Sequence, residues 1–238
     1  MKFDLTILGF GVIGVETLDA LVLKINKKQK IRIAIIEKNI NNIPGGVAYS
    51  KKNSKFGFFN NPLRLSHPLF KSWIKKKQNI NRIVDFAKNN PNYQLVDWLK
   101  DNLNNLMKKN MLDEIYFPRL VYSFYLKDKI IKIIKLLKKT KIKIFYFNGE
   151  LDKLNLKSED LILKAKSNFR SFNIDGKDDL LKISNTSKNL KFLKSKRIII
   201  GNGLLPPKKI DGTNKIFDKN YIWDFYAEGG TDNLIKKI

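Results

Sequence analysis

The sequence predicts an α/β fold: a parallel sheet continued by a β-meander and interrupted by a helical insertion. Three observations predict it. Apolar, β-prone runs at 3–8, 31–36, 142–147 and 197–200 read as strands of a parallel sheet. The first two are joined by a glycine turn and helix-compatible sequence, the layout of a βαβ unit. From 51 to about 115 that rhythm stops and helix periodicity replaces it.

The opening unit carries the chemistry. Phe3 to Leu8 enters Gly9-Phe10-Gly11-Val12-Ile13-Gly14, with glycines spaced Gly-x-Gly-x-x-Gly. A helix is predicted from Val15 to about Leu23. A second strand, Ile31 to Ile36, then ends at Glu37. Strand, glycine turn, helix, strand and acid in that order are expected of a Rossmann-like dinucleotide-binding unit. Gly9 turns the chain off the strand. Gly11 lets backbone approach a pyrophosphate, and Gly14 lets helix pack on strand. The pyrophosphate would sit on the helix N-terminus, where unpaired N–H groups and the helix dipole favour negative charge. Glu37 lies near the ~20-residue spacing of a carboxylate that accepts from ribose hydroxyls, which points to FAD or NAD rather than NADP.

Composition narrows the class. The 238 residues are 43% hydrophobic, ordinary for a globular core. No run approaches the ~18 apolar residues of a membrane span, and the amino terminus reads as a strand rather than a signal peptide. Cysteine is absent, which excludes disulfides, thiol redox chemistry and cysteine-ligated metal centres in this chain. A cytoplasmic location is expected. Lys and Arg number 47 against 22 acids, a net charge of +25. Alone, this suggests nucleic acid or an anionic surface. The lysines are scattered through every segment and no nucleic-acid-binding signature accompanies them, so they read as a solvated surface.

Lys38 to Pro44 is Asn-rich and reads as a loop. The pair Gly45-Gly46 would let the chain fold back under a nucleotide with amides inward, or make a simple turn. Phe56 to Pro62 is aromatic and β-prone, suited to a ring pocket or to ordinary core. His67 is the sole histidine and reads as structural, ahead of a weak helix with Trp73. No carboxylate pair, catalytic triad or metal cluster stands out. A helix is predicted from Pro91 to Asn110, with Leu95, Trp98, Leu99, Leu103 and Leu106 on one face. Another runs from Pro118 to about Lys139, where Arg119, Tyr122 and Tyr125 fall roughly on one side. Those three would hold a phosphate or an isoalloxazine edge, or simply pack. After the strand 142–147, short β runs at 151–156, 161–165, 180–184 and 190–193 predict the meander. Arg197 to Ile200 then enters Gly201-Asn202-Gly203, and glycines at a strand's carboxyl end are where such sheets bind ligand. Pro206-Pro207 and a tail with Tyr221 to Tyr226 and Gly229-Gly230 follow.

These motifs together resemble the amino-terminal half of FAD/NAD(P)-binding flavoproteins, of the glutathione-reductase-like class with two dinucleotide-binding units. The resemblance rests on Gly9 to Gly14, Glu37, Gly45-Gly46-Val47-Ala48-Tyr49-Ser50, Phe59-Asn60-Asn61-Pro62, Asp97-Trp98-Leu99, Phe117-Pro118-Arg119 through Tyr122 to Leu126, and Ile199 to Gly203. It implies FAD on the first glycine motif, Glu37 on the adenosine ribose, and Gly201-Asn202-Gly203 in place of the family's Ala-Thr-Gly element. The cofactor set is then Gly9, Gly11, Val12, Ile13, Gly14, Glu37, Lys38, Gly45, Gly46, Asn60, Arg119, Tyr122, Gly201, Asn202 and Gly203. Residues 1–50 and 116–238 are expected to form the FAD-binding domain, with 51–115 as a helical cap. The second, NAD(P)-binding unit of the class would begin about where the sequence stops. The expected function is an FAD-dependent, monooxygenase-like or NAD(P)H oxidoreductase acting on an unknown substrate or O₂. A binding module without turnover is the alternative, and a basic nucleic-acid-binding protein ranks third. No membrane partner is expected.

Overall fold

The computed structural model describes residues 1–26, 28–49, 57–90, 93–108, 111–157, 160–177 and 180–201. Among them the chain divides into two compact units. One holds Met1–Gly46 and the stretch from Leu126; the other holds Val47–Tyr125.

Among the described residues the first unit contains every strand: β1 (Lys2–Phe3), β2 (Leu5–Leu8), β3 (Ile31–Glu37), β4 (Ile142–Asn148), β5 (Leu151–Lys157), β6 (Asp160–Lys177), β7 (Leu180–Ser195) and β8 (Ile198–Ile200). β8, β2, β3 and β4 lie side by side and parallel, with Thr6 opposite both Ala34 and Ile198. Chain order along these four reverses between β2 and β8, so the topological switch point of the sheet lies there. β4 continues antiparallel into β6, which pairs with β5 and β7. This is the Rossmann-like sheet with its meander. In β3, Ile33, Ala34, Ile35 and Ile36 are all buried, as a strand covered on both faces requires. On one face Phe3, Leu8, Ala34, Ile36, Phe147, Leu163, Phe169 and Leu193 form a single core. Each fully buried Phe or Ile there contributes roughly 1.5–3 kcal/mol.

Helix α1 spans Val12–Lys24 and buries Val15, Leu18 and Val22. It begins just after Gly11, earlier than the predicted Val15. Gly14 is therefore helical rather than part of the turn. A Cβ on Gly14 would stand 2.2 Å from the carbonyl oxygen of Gly9, so only glycine lets the helix start this close to the strand.

The second unit is helical: α2 (Gly46–Tyr49, entered from the first unit), α3 (Pro68–Ile74), α4 (Lys77–Asn89) and α5 (Tyr93–Lys108). The sequence reading passed over α4, although Ile80, Ile83, Val84 and Ala87 recur at helical spacing and are buried. Residues 57–62 form no strand; Phe58 makes only an isolated bridge to Pro118. Helix α6 spans Leu120–Leu137, inside the predicted limits.

The meander differs in detail. The separate runs 161–165, 180–184 and 190–193 belong to two long strands, β6 and β7. Polar stretches that read as turns are carried inside the ladder by register shifts between Lys164 and Phe169 and between Arg170 and Phe172. Ser171 and Thr186 hydrogen-bond each other across it. Asn202, Gly203, the proline pair and the aromatic tail lie outside the described residues.

Candidate functional site

The turn after β2 sits at the switch point. Gly9 adopts φ 88°, in the left-handed region, and its amide donates to the Ile36 carbonyl at 2.8 Å. Gly11 is the N-cap of α1 and offers no side chain to the helix. The amides of Val12, Ile13 and Gly14 occupy the first turn, where helical amides have no intrahelical acceptor. No acidic residue stands in that turn. An uncapped helix start of this kind favours an anion.

Gly45 and Gly46, with φ 109° and 65°, come back against this turn. Gly45 forms a parallel bridge with Gly11. A Cβ on Gly46 would lie 3.2 Å from Gly11 Cα. Gly201 closes another side: its amide donates to the Leu8 carbonyl at 2.7 Å. A Cβ there would lie 3.2 Å from Ile13 Cγ2. The structure thus brings together three glycine segments that are far apart in sequence.

Glu37, the last residue of β3, is buried and turned toward the same place. Its Oε2 accepts from the Phe10 amide at 2.7 Å and its Oε1 from the Asn39 amide at 3.0 Å. The sequence reading missed the Phe10 partnership. It follows from register: Leu8 faces Ile36 in parallel strands, so the residue after Ile36 reaches the turn after Leu8. Lys38 turns elsewhere. Its ammonium lies 3.0 Å from Glu150 on the surface, and that hydrogen bond holds the Glu150 carboxyl below its usual range.

Asn60, Arg119 and Tyr122 belong to the second unit, where they are neighbours. Arg119 Nε donates to the Phe58 carbonyl at 2.9 Å and Nη2 to Asn60 Oδ1 at 3.1 Å. The Tyr122 ring packs against Tyr49, Phe70 and Tyr125, with centroids 5.0, 4.9 and 5.3 Å away. Burial raises the Tyr49 phenol above its usual range, and the nearby Arg119 cation offsets part of that rise. His67 caps α3, its Nδ1 accepting from the Leu69 amide at 3.3 Å. Among the described residues, no cluster of His, Cys, Asp or Glu could hold a metal ion. None of their helices is long and apolar enough to cross a membrane.

A parallel sheet with glycine turns gathered at its switch point defines a dinucleotide-binding class of α/β protein. The family model described as FAD-NAD(P)-binding matches residues 6–173, and the chain belongs to that family. A solved structure similar to it is dithionite-reduced L-α-glycerophosphate oxidase from Mycoplasma pneumoniae with FAD bound. The TM-score is 0.32 and the identity 11%, over 83% of this chain and 53% of that one. The chain therefore spans about half the length of that oxidase. No match exists among the curated proteins compared.

Proposed function

We propose that this chain binds FAD and serves as the flavin-binding part of an NAD(P)H-dependent oxidoreductase. The observation that carries the reading is the convergence of Gly11, Gly46 and Gly201 on the uncapped start of α1, with Glu37 beside it.

The residues present fit the cofactor. The amides of Val12, Ile13 and Gly14 would receive the pyrophosphate. Gly11 and Gly46 have no Cβ to hold it away. Each oxygen of Glu37 takes one backbone N–H and keeps a further lone pair for a ribose hydroxyl. Within the second unit by itself, the Arg119 guanidinium beside Asn60 suits a phosphate. Bound FAD would supply the redox chemistry, taking a hydride equivalent from NAD(P)H and passing electrons to a substrate or O₂. The protein's share is binding, orientation and exclusion of water. Residues 1–50 and 116–238 as one FAD-binding domain with 51–115 as its insertion, and a cytoplasmic location, belong to the same proposal.

The test is titration of the purified chain with FAD, followed by NADH addition to the complex under anaerobic conditions. Tight FAD binding with bleaching of the flavin on NADH addition supports the oxidoreductase reading. FAD binding without bleaching would assign a binding module. Absence of FAD binding would overturn the proposal.

A further inference from the structure

Lys129 on α6 is almost fully buried, with its side chain 7% exposed. Its ammonium lies 2.5 Å from Glu16 Oε2 and 3.1 Å from Asp19 Oδ2. Both carboxylates stand on α1, one turn apart and just past the glycine turn. Glu16 lies only about 6 Å along the axis from the first helical residue. Asp19 is buried, and its Oδ1 has no hydrogen-bond partner. Two acids this close to a helix start would oppose an anion there. Lys129, paired with both acids, cancels half of that opposition. The cost of burying the charges of Lys129 and Asp19 is hard to recover from stability alone, which leaves a role at the helix end to be explained.

We propose that Lys129 is a positioning residue for anion capture: it neutralises the acids of α1 so that the helix start retains its pull on a pyrophosphate. The proposal rests on the dinucleotide reading of the glycine turns. The trio keeps one net negative charge, so removing one carboxylate should tighten anion binding and removing the cation should weaken it. At about 10 Å and an effective dielectric of about 20, one charge changes the affinity for a singly charged anion by roughly tenfold.

The test compares ADP with adenosine, its uncharged counterpart, by calorimetry on the full chain at low salt. Glu16→Gln, at a side chain 35% exposed, is expected to bind the multiply charged ADP at least roughly tenfold tighter. Lys129→Met is expected to bind it at least roughly tenfold more weakly. The triple change E16Q/D19N/K129M is expected to restore wild-type affinity or better. Adenosine affinity should stay constant across the series, and about 0.5 M salt should shrink the ADP differences. Equal shifts for ADP and adenosine, or an unchanged ADP affinity in E16Q, would overturn the proposal. If Lys129→Met does not fold, E16Q decides alone. A wild-type chain that binds neither FAD nor ADP removes the dinucleotide reading and this proposal together; one that binds both, with an inert E16Q, removes this proposal only.

Discussion

The Phe10 amide donates to Glu37 Oε2 at 2.7 Å, tying the turn after β2 to the end of β3. Glu37 thus shapes the glycine turn. Glu37→Gln keeps the size but replaces one acceptor oxygen with an NH₂ donor. That donor must face the amide of Phe10 or of Asn39. The expected cost is about 1–3 kcal/mol of stability, together with weaker FAD binding. Urea denaturation and an FAD titration measure the two effects.

The glycines make separable predictions. Gly14→Ala would place a Cβ 2.2 Å from the Gly9 carbonyl oxygen, and backbone must move to admit it. Gly46→Ala adds both a strained φ of 65° and a contact 3.2 Å from Gly11 Cα. Each should cost about 1–3 kcal/mol and abolish measurable FAD binding, read by thermal unfolding and flavin fluorescence.

Thr6 provides a change in the opposite direction. It is fully buried in β2, and its hydroxyl has no hydrogen-bond partner. Thr6→Val removes the unpaired hydroxyl at nearly the same shape. Stability should rise by about 1 kcal/mol, with FAD affinity unchanged, as denaturation and titration would report.

Burial raises the phenols of Tyr49 and Tyr146 above their usual range. The folded state therefore holds these protons more tightly than the unfolded chain does. Their contribution is fully present below the unfolded tyrosine value of about 10 and is lost as pH rises through the folded values. Stability should fall above about pH 10, and less steeply in Tyr146→Phe. Asp4 behaves oppositely. Its carboxyl is held low, first by the Arg32 amide and then by Lys196. Its contribution is present above about pH 4 and lost as pH falls further. Urea midpoints across pH test both limbs.

The parallel sheet was legible because Ile33–Ile36 is apolar throughout, a pattern that a half-solvated strand would not carry. The glycine turn and Glu37 were legible because close approach of backbone needs residues of fixed type at fixed spacing. The meander was read as too short, since Asn, Ser and Thr that signal turns also sit in an exposed antiparallel ladder with bulges. Helix α4 was hidden because its narrow apolar stripe is set among Asn, Gln, Arg and Lys, which also signal loops. The ion cluster of Lys129 with Glu16 and Asp19 left no sequence signal, because it joins helices 113 residues apart through packing alone.

The central claim is that the turn from Gly9 to Gly14, backed by Gly45 and Gly46, holds FAD. The visible absorption spectrum of the purified chain, before and after adding FAD and removing the excess, tests it most directly. The account predicts retained flavin bands near one equivalent per chain, lost in Gly14→Ala. A colourless wild-type protein after FAD addition would contradict it.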